Sequence, residues 1–236
     1  MFILTYIDPS CGSRHSFKFR YCQFNGTMVV SCRRVYRIVP LKTFIKIHIN
    51  TVINSKRAYT TRRMSEDGLY LNVWTPAKSA EDGLPIYVWI HGGAFTEGAG
   101  SALQFIGEKL ASRGVVVATI NYRLGAFGFM AHPELTAEQG HSGNYGFTDM
   151  AMALSFLKEN AKAFGGNPEN ITIDGQSAGS MSVCALVASP KAKGLFQKAI
   201  AQSGSVFGRR GILDAPGAEE AGLQLQKALG CKKIQE

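Results

Sequence analysis

Asn170-Ile171-Thr172-Ile173-Asp174-Gly175-Gln176-Ser177-Ala178-Gly179 passes from a short β-branched run into two glycines that bracket a serine. Ile171, Thr172 and Ile173 suit a buried strand, and from Ser177 to about Ala188, ahead of Pro190, the residues suit a helix. A G-x-S-x-G pentapeptide carries little information alone. At a strand-to-helix turn it reads as a nucleophile elbow, because glycines two positions either side of Ser177 leave room for a sharp turn that lifts Oγ above the sheet edge. The bland alternative is a Gly-rich turn whose serine caps the helix.

Working outward, the pattern is regular from Leu69 onward. Strands are predicted at Tyr70 to Trp74, Ile86 to Ile90, Val115 to Ile120, Ile171 to Ile173 and Ala199 to Gln202. Between them lie helix-sized segments with Gly-rich joints, which is the alternation of an α/β fold with a mostly parallel sheet. Met150, Leu154, Leu157, Ala161 and Phe164 recur at helical spacing, so a helix is expected from about Thr148 to Phe164, stopped by Gly165-Gly166. Another is expected from Glu219 to Leu229. Residues 121 to 147 show no periodicity and read as a long loop of the kind that tends to carry function.

A lone nucleophile does not hydrolyse an acyl bond, since the tetrahedral intermediate needs N–H donors aimed at its oxyanion. His91-Gly92-Gly93-Ala94-Phe95 follows the strand that ends at Ile90 and matches an HGGG-type loop, whose small residues let the main chain approach a carbonyl. Gly93 and Ala94 are the candidate donors there, and Ala178, at a helix N-terminus just after Ser177, is a third. An ordinary loop after a strand is the competing reading of HGGAF taken alone.

The first 63 residues differ. They hold 12 Lys and Arg against one acid, Asp8, whereas residues 64–236 hold 14 against 16. The net charge of +9 is therefore a property of one segment, and a nucleic-acid-binding main domain is not expected. Phe17, Phe19 and Tyr21 run into Asn25-Gly26 and then Met28 to Val30, a hairpin pattern. Val35 to Ile53, interrupted by Pro40, suits an edge strand. The organisation read from this is an atypical basic N-terminal segment over 1–63 and a partial α/β domain over 64–236. The Arg-rich, acid-poor balance also resembles a transit peptide. No run reaches the roughly 18 apolar residues of a membrane span, and the opening residues lack the form of a secretion signal. Cys11, Cys22, Cys32, Cys184 and Cys231 show no metal spacing and are odd in number, so neither a zinc site nor a complete disulfide framework is expected.

Six stretches, MSEDGLYLNVWTP, YVWIHGGAFTEGAG, VVVATINYRLGAFGF, GNYGFTD, FGGNPENITIDGQSAG and GLFQKAIAQSG, together resemble the N-terminal half of the type-B carboxylesterases, α/β-hydrolases that include bacterial carboxylesterases and cholinesterases. The resemblance covers about residues 64 to 208. It implies an α/β-hydrolase fold truncated at its C-terminal side, a small-molecule carboxylic ester as substrate, and no metal or organic cofactor. It makes Ser177 the acyl-enzyme nucleophile, Gly93, Ala94 and Ala178 the oxyanion donors, and Arg123 with Asp149 a buried structural ion pair, although Asp149 also reads as a residue favoured near a helix N-terminus. Phe95, Phe127 and Phe129 become candidate acyl-pocket residues, against the bland reading of aromatic packing.

Departures from the family pattern are visible. Gln176 stands where glutamate is usual, Gly68 where a disulfide cysteine is frequent, and Glu66 lacks its usual arginine partner upstream. In the family the triad acid and histidine lie much farther along than the 59 residues that follow Ser177. His91, His132 and His141 are weak substitutes for that base, and His15 and His48 weaker. Two functions from different classes follow: an ester hydrolase of which this chain is a fragment, or a non-catalytic fragment or pseudoenzyme that acts by binding or adhesion. A half-built sheet also leads to the expectation of poor solubility or self-association.

Overall fold

A computed structural model describes the backbone of residues 20–24, 27–31 and 46–47, and residues 68–206 and 213–234 in full. Its first two strands, β1 (Arg20–Phe24) and β2 (Thr27–Ser31), form an antiparallel hairpin in which Phe24 pairs with Thr27. The Asn25-Gly26 turn itself, Glu66, and the histidines at 15 and 48 lie outside the described residues.

The remaining strands form one six-stranded sheet: β3 (Lys46–Ile47), β4 (Tyr70–Trp74), β5 (Leu84–Ile90), β6 (Val116–Ile120), β7 (Gly166–Gln176) and β8 (Lys198–Gln202). Their spatial order is β3-β4-β6-β5-β7-β8. Only the β4–β6 pairing is antiparallel; the other four are parallel. The sheet is therefore mostly parallel, and β6 is buried at every residue, as its unbroken Val-Val-Ala-Thr-Ile run requires of a strand covered on both faces.

Register decides which side chains share a face. Ile86, Val88 and Ile90 stand beside Val116, Ala118 and Ile120, with Ile171 and Ile173 on the far side. This face carries the core with Met150, Leu154 and Leu157 of α4 (Tyr145–Glu159) and Val183 and Leu186 of α5 (Ala178–Ala188). The opposite face presents Trp74, Val117, Tyr87, Trp89 and Asp174. Part of it is covered by the segment that leads into the single turn α1 (Glu108–Ala111), where Phe105 meets Trp89 at 5.2 Å and Gly107 lies too close to Trp74 and Val117 for any β-carbon.

Several elements differ from their sequence-based bounds. The helix expected from Thr148 begins at Tyr145 and ends at Glu159, and Ala161–Phe164 forms a separate 3₁₀ turn closed by Gly165 at φ +69°. Asn144, in a left-handed conformation at φ 59°, redirects the chain into α4, which starts three residues before the expected Thr148. The presumed loop 121–147 contains two short helices, α2 (Gly125–Phe129) and α3 (Pro133–Gln139), each too short to display a period. The last helix, α6, starts at Ala215, four residues before Glu219, because Asp214 caps it by accepting from Gly217 N–H and Pro216 tolerates the first turn.

Candidate active site

Strand β7 and helix α5 meet at Ser177, whose backbone stands at φ 56° and ψ −119°. A residue with a β-carbon is strained there. The turn is possible because Gly175 and Gly179 face one another: a β-carbon on Gly175 would lie 2.4 Å from the Gly179 backbone. Ser177 occupies the N-cap position of α5 yet makes no capping hydrogen bond, which removes the reading of this serine as a simple helix cap. Its N–H donates to the Gln202 carbonyl at 2.9 Å, and its carbonyl accepts from Met181 N–H at 3.0 Å.

The HGGAF loop presses against this turn. A β-carbon on Gly92 would meet the Gln176 carbonyl oxygen at 2.6 Å and the Ser177 β-carbon at 3.3 Å, and one on Gly179 would meet the Ile90 carbonyl oxygen at 2.1 Å. Gly93, Ala94 and Phe95 follow with φ of 113°, 54° and 63°. Three successive positive values fold the loop back on itself, and the Gly93 carbonyl accepts from Thr96 and Glu97 N–H. The N–H groups of Gly93, Ala94 and Ala178 make no hydrogen bond among the described residues.

His91 anchors the start of the loop. It is buried and stacks on Tyr122 with ring centroids 4.5 Å apart; Tyr122 Oη donates to the His91 carbonyl at 2.7 Å. His91 Nδ1 lies 2.8 Å from the Gly92 carbonyl oxygen and so carries the ring proton, while Nε2 is buried without a partner among the described residues. Burial pushes the His91 pKa below its ordinary value of 6.5 and the Tyr122 phenol up.

Arg123 and Asp149 are joined by two side-chain bonds of 2.8 Å, Nε to Oδ2 and Nη2 to Oδ1, and the Arg123 N–H reaches Oδ2 at 3.0 Å. Asp149 is buried, whereas the arginine side chain is 35% exposed and lies over the Tyr145 ring, 5.2 Å from its centroid. The pair thereby ties the segment after β6 to the first turns of α4. Phe95, Phe129 and Phe147 form a ring cluster with centroid separations of 4.9, 5.4 and 5.9 Å; Phe127 stays apart, 71% exposed.

Neither of the loop histidines considered as a base touches Ser177. His132 is buried at the N-cap of α3, its Nδ1 accepting from Glu134 N–H and its Nε2 donating to Gln226 Oε1 on α6. His141 is exposed and bonds the Gln139 carbonyl. The Gln202-Ser203-Gly204 turn, by contrast, holds the elbow directly, although the sequence assigned it no role. Gly204 lies against the Ser177 carbonyl, and its own carbonyl accepts from Ser180 Oγ at 2.7 Å. The signal was present in the GLFQKAIAQSG stretch, but contact between Gln202 and Ser177 depends on strand order rather than on local pattern. Among the described residues no cluster of side chains could hold a metal ion, and no helix is long and apolar enough to cross a membrane.

The sequence profile of the Carboxylesterase family matches residues 46–236. The para-nitrobenzyl esterase of Bacillus subtilis is 53% identical over 144 residues, covering 61% of this chain and 29% of that protein. Gallus gallus acetylcholinesterase is 43% identical over 171 residues, covering 72% of this chain and 22% of its own length. A solved thermophilic para-nitrobenzyl esterase superposes with a TM-score of 0.65 at 48% identity over 72% of this chain and 34% of that one. The carboxylesterase of Geobacillus stearothermophilus at pH 6.2 superposes with 0.67 at 40% identity over 78% and 38%. This chain thus spans well under half the length of each relative. With the elbow, the glycine loop pressed against it and a match that runs from β3 to the final residue, the chain belongs to the carboxylesterase family.

Proposed function

We propose that this protein is a serine hydrolase of small-molecule carboxylic esters. The observation that carries the reading is the contact between two strained turns: Ser177 at positive φ with Oγ outside any capping bond, against a loop whose N–H groups at Gly93 and Ala94 have no partner among the described residues. In the first half-reaction Ser177 Oγ attacks the ester carbonyl carbon and loses its proton to a base. The carbonyl oxygen becomes an oxyanion held by the N–H groups of Gly93, Ala94 and Ala178. Collapse of the tetrahedral intermediate breaks the carbon–oxygen bond to the alcohol, which leaves with a proton. In the second, water attacks acyl-Ser177, the acid departs and the serine recovers its hydrogen.

Arg123 and Asp149 act in this scheme as a brace that holds the segment after β6 against α4, and Phe95, Phe129 and Phe147 form apolar packing beside the loop. No described histidine bonds Ser177. Labelling the folded chain with a fluorophosphonate and weighing the intact protein tests the assignment. A single adduct that disappears in Ser177→Ala is expected. Folded wild-type protein that takes no adduct would mean that Ser177 is not activated in this chain, and the binding or adhesion reading would then replace the catalytic one.

A further inference from the structure

Asp174 is a buried carboxylate that the acyl-transfer scheme does not use. It is 3% exposed, and among the described residues no cation pairs with it. It accepts instead from neutral donors: Gln202 Nε2 at 2.9 Å to Oδ1 and 2.8 Å to Oδ2, and Tyr87 Oη at 2.7 Å to Oδ2. Burial and this bond together push the Tyr87 phenol pKa up, so the tyrosine remains the donor. The three residues sit on three neighbouring strands, β5, β7 and β8, on one face of the sheet and at the end where the elbow begins.

A charge buried without a counter-ion is costly unless its hydrogen bonds are well made, so its placement asks for a reason. The geometry supplies one. Gln202, whose side chain Asp174 grips, accepts the Ser177 N–H through its own carbonyl at 2.9 Å. Two residues on, Gly204 packs against the Ser177 carbonyl with no room for a β-carbon and receives the Ser180 hydroxyl. The path from carboxylate to serine is therefore Asp174, the Gln202 side chain, the Gln202 carbonyl, and the Ser177 N–H.

We propose that Asp174 is a positioning residue for Ser177, acting through Gln202, with Tyr87 fixing the carboxylate. The functional part of this statement rests on Ser177 being the nucleophile; the clamp itself does not. Asp174 lies three residues before the strained position and locks the end of β8 against it, so the turn cannot relax by letting Gln202 swing away. A charge-assisted bond suits that task, because it is stronger than a neutral one and holds the amide by both oxygens.

The test is amide hydrogen exchange at Ser177, compared with Leu154 and Leu157 in the core of α4, in the full chain. Asp174→Asn should speed exchange at Ser177 by about tenfold while the α4 amides keep their rates. Tyr87→Phe, which removes one of the three hydrogen bonds to the carboxylate and keeps the ring, should give about threefold at the same amide. The double variant Asp174→Asn, Gln202→Glu exchanges carboxylate for amide across the same gap and should bring Ser177 back towards the wild-type rate. Exchange that rises equally at Ser177 and in α4 would show a general loss of stability and overturn the proposal, as would a double variant no better than the single one. Fluorophosphonate labelling separates the two assignments. If wild-type protein takes no adduct while the exchange pattern holds, the clamp stands and the nucleophile assignment fails. If labelling of Asp174→Asn falls without any change in Ser177 exchange, the clamp is wrong.

Discussion

Ser177 at φ 56° holds a β-carbon where only glycine is unstrained, so the residue that defines the site also weakens the fold. Ser177→Gly should therefore be more stable than Ser177→Ala by about 1 kcal/mol, seen as a melting temperature higher by a few degrees, although both lose the proposed nucleophile. Equal melting temperatures would deny that the elbow is strained. His91 supplies a second expectation at this scale. Its folded pKa lies below 6.5 because burial disfavours the imidazolium, so its contribution is present in full above about pH 6.5. Below that the unfolded chain binds a proton that the folded chain refuses, and stability falls until the folded pKa is reached. His91→Asn keeps a donor for the Gly92 carbonyl and has no such proton. The difference in unfolding free energy between wild type and variant, from urea titrations at pH 7.5 and pH 5.5 (chosen to lie about one unit either side of 6.5), should shift against the wild type by up to about 1.4 kcal/mol per pH unit. A pH-independent difference would contradict it.

At the scale of elements the decisive contact is α5 against β5. A methyl at Gly179 would stand 2.1 Å from the Ile90 carbonyl oxygen, and neither backbone can yield. Gly179→Ala should cost about 3 kcal/mol in denaturant titration, at the upper end of overpacking effects, and separate α5 from the loop it supports. Strand β8 sets the other expectation. It is the last strand of the sheet and exposed at all five residues, with Ile200 44% exposed. Such an edge offers unpaired N–H and C=O groups to another chain. Self-association in sedimentation runs is expected for the wild type and should be reduced by Ile200→Lys; a monodisperse wild-type monomer would remove the premise. Elements were legible in sequence to the extent that each carried its own pattern. Strand β4 and helix α5 came out within a residue of their predicted bounds, since β-branched runs and the elbow glycines mark them. The helices inside 121–147 did not, because five- and seven-residue helices complete less than two turns and are held by Gly125, Pro133 and the His132 cap rather than by an apolar stripe.

For the whole molecule, the family and its sheet could be read from motifs in order, whereas contacts that need two distant strands could not. Nothing local to Asp174 marks it as Gln202's partner, 28 residues away, or as Tyr87's, 87 residues away; only the strand order β5-β7-β8 brings them together. That same order has a consequence during synthesis. Strand β5 is flanked by β6 on one side and by β7 on the other, and Ile90 pairs with Gly175. A ribosome that has released Ile90 must translate dozens of further residues before the second neighbour exists, about ten seconds at ordinary elongation rates. Both edges of β5 are open until β6 emerges, one remains open until β7 follows, and the Ser177 N–H has no Gln202 carbonyl to bond until β8 has also emerged. Slowing or speeding translation between β6 and β8 should thus alter the yield of folded protein more than the same change made after β8.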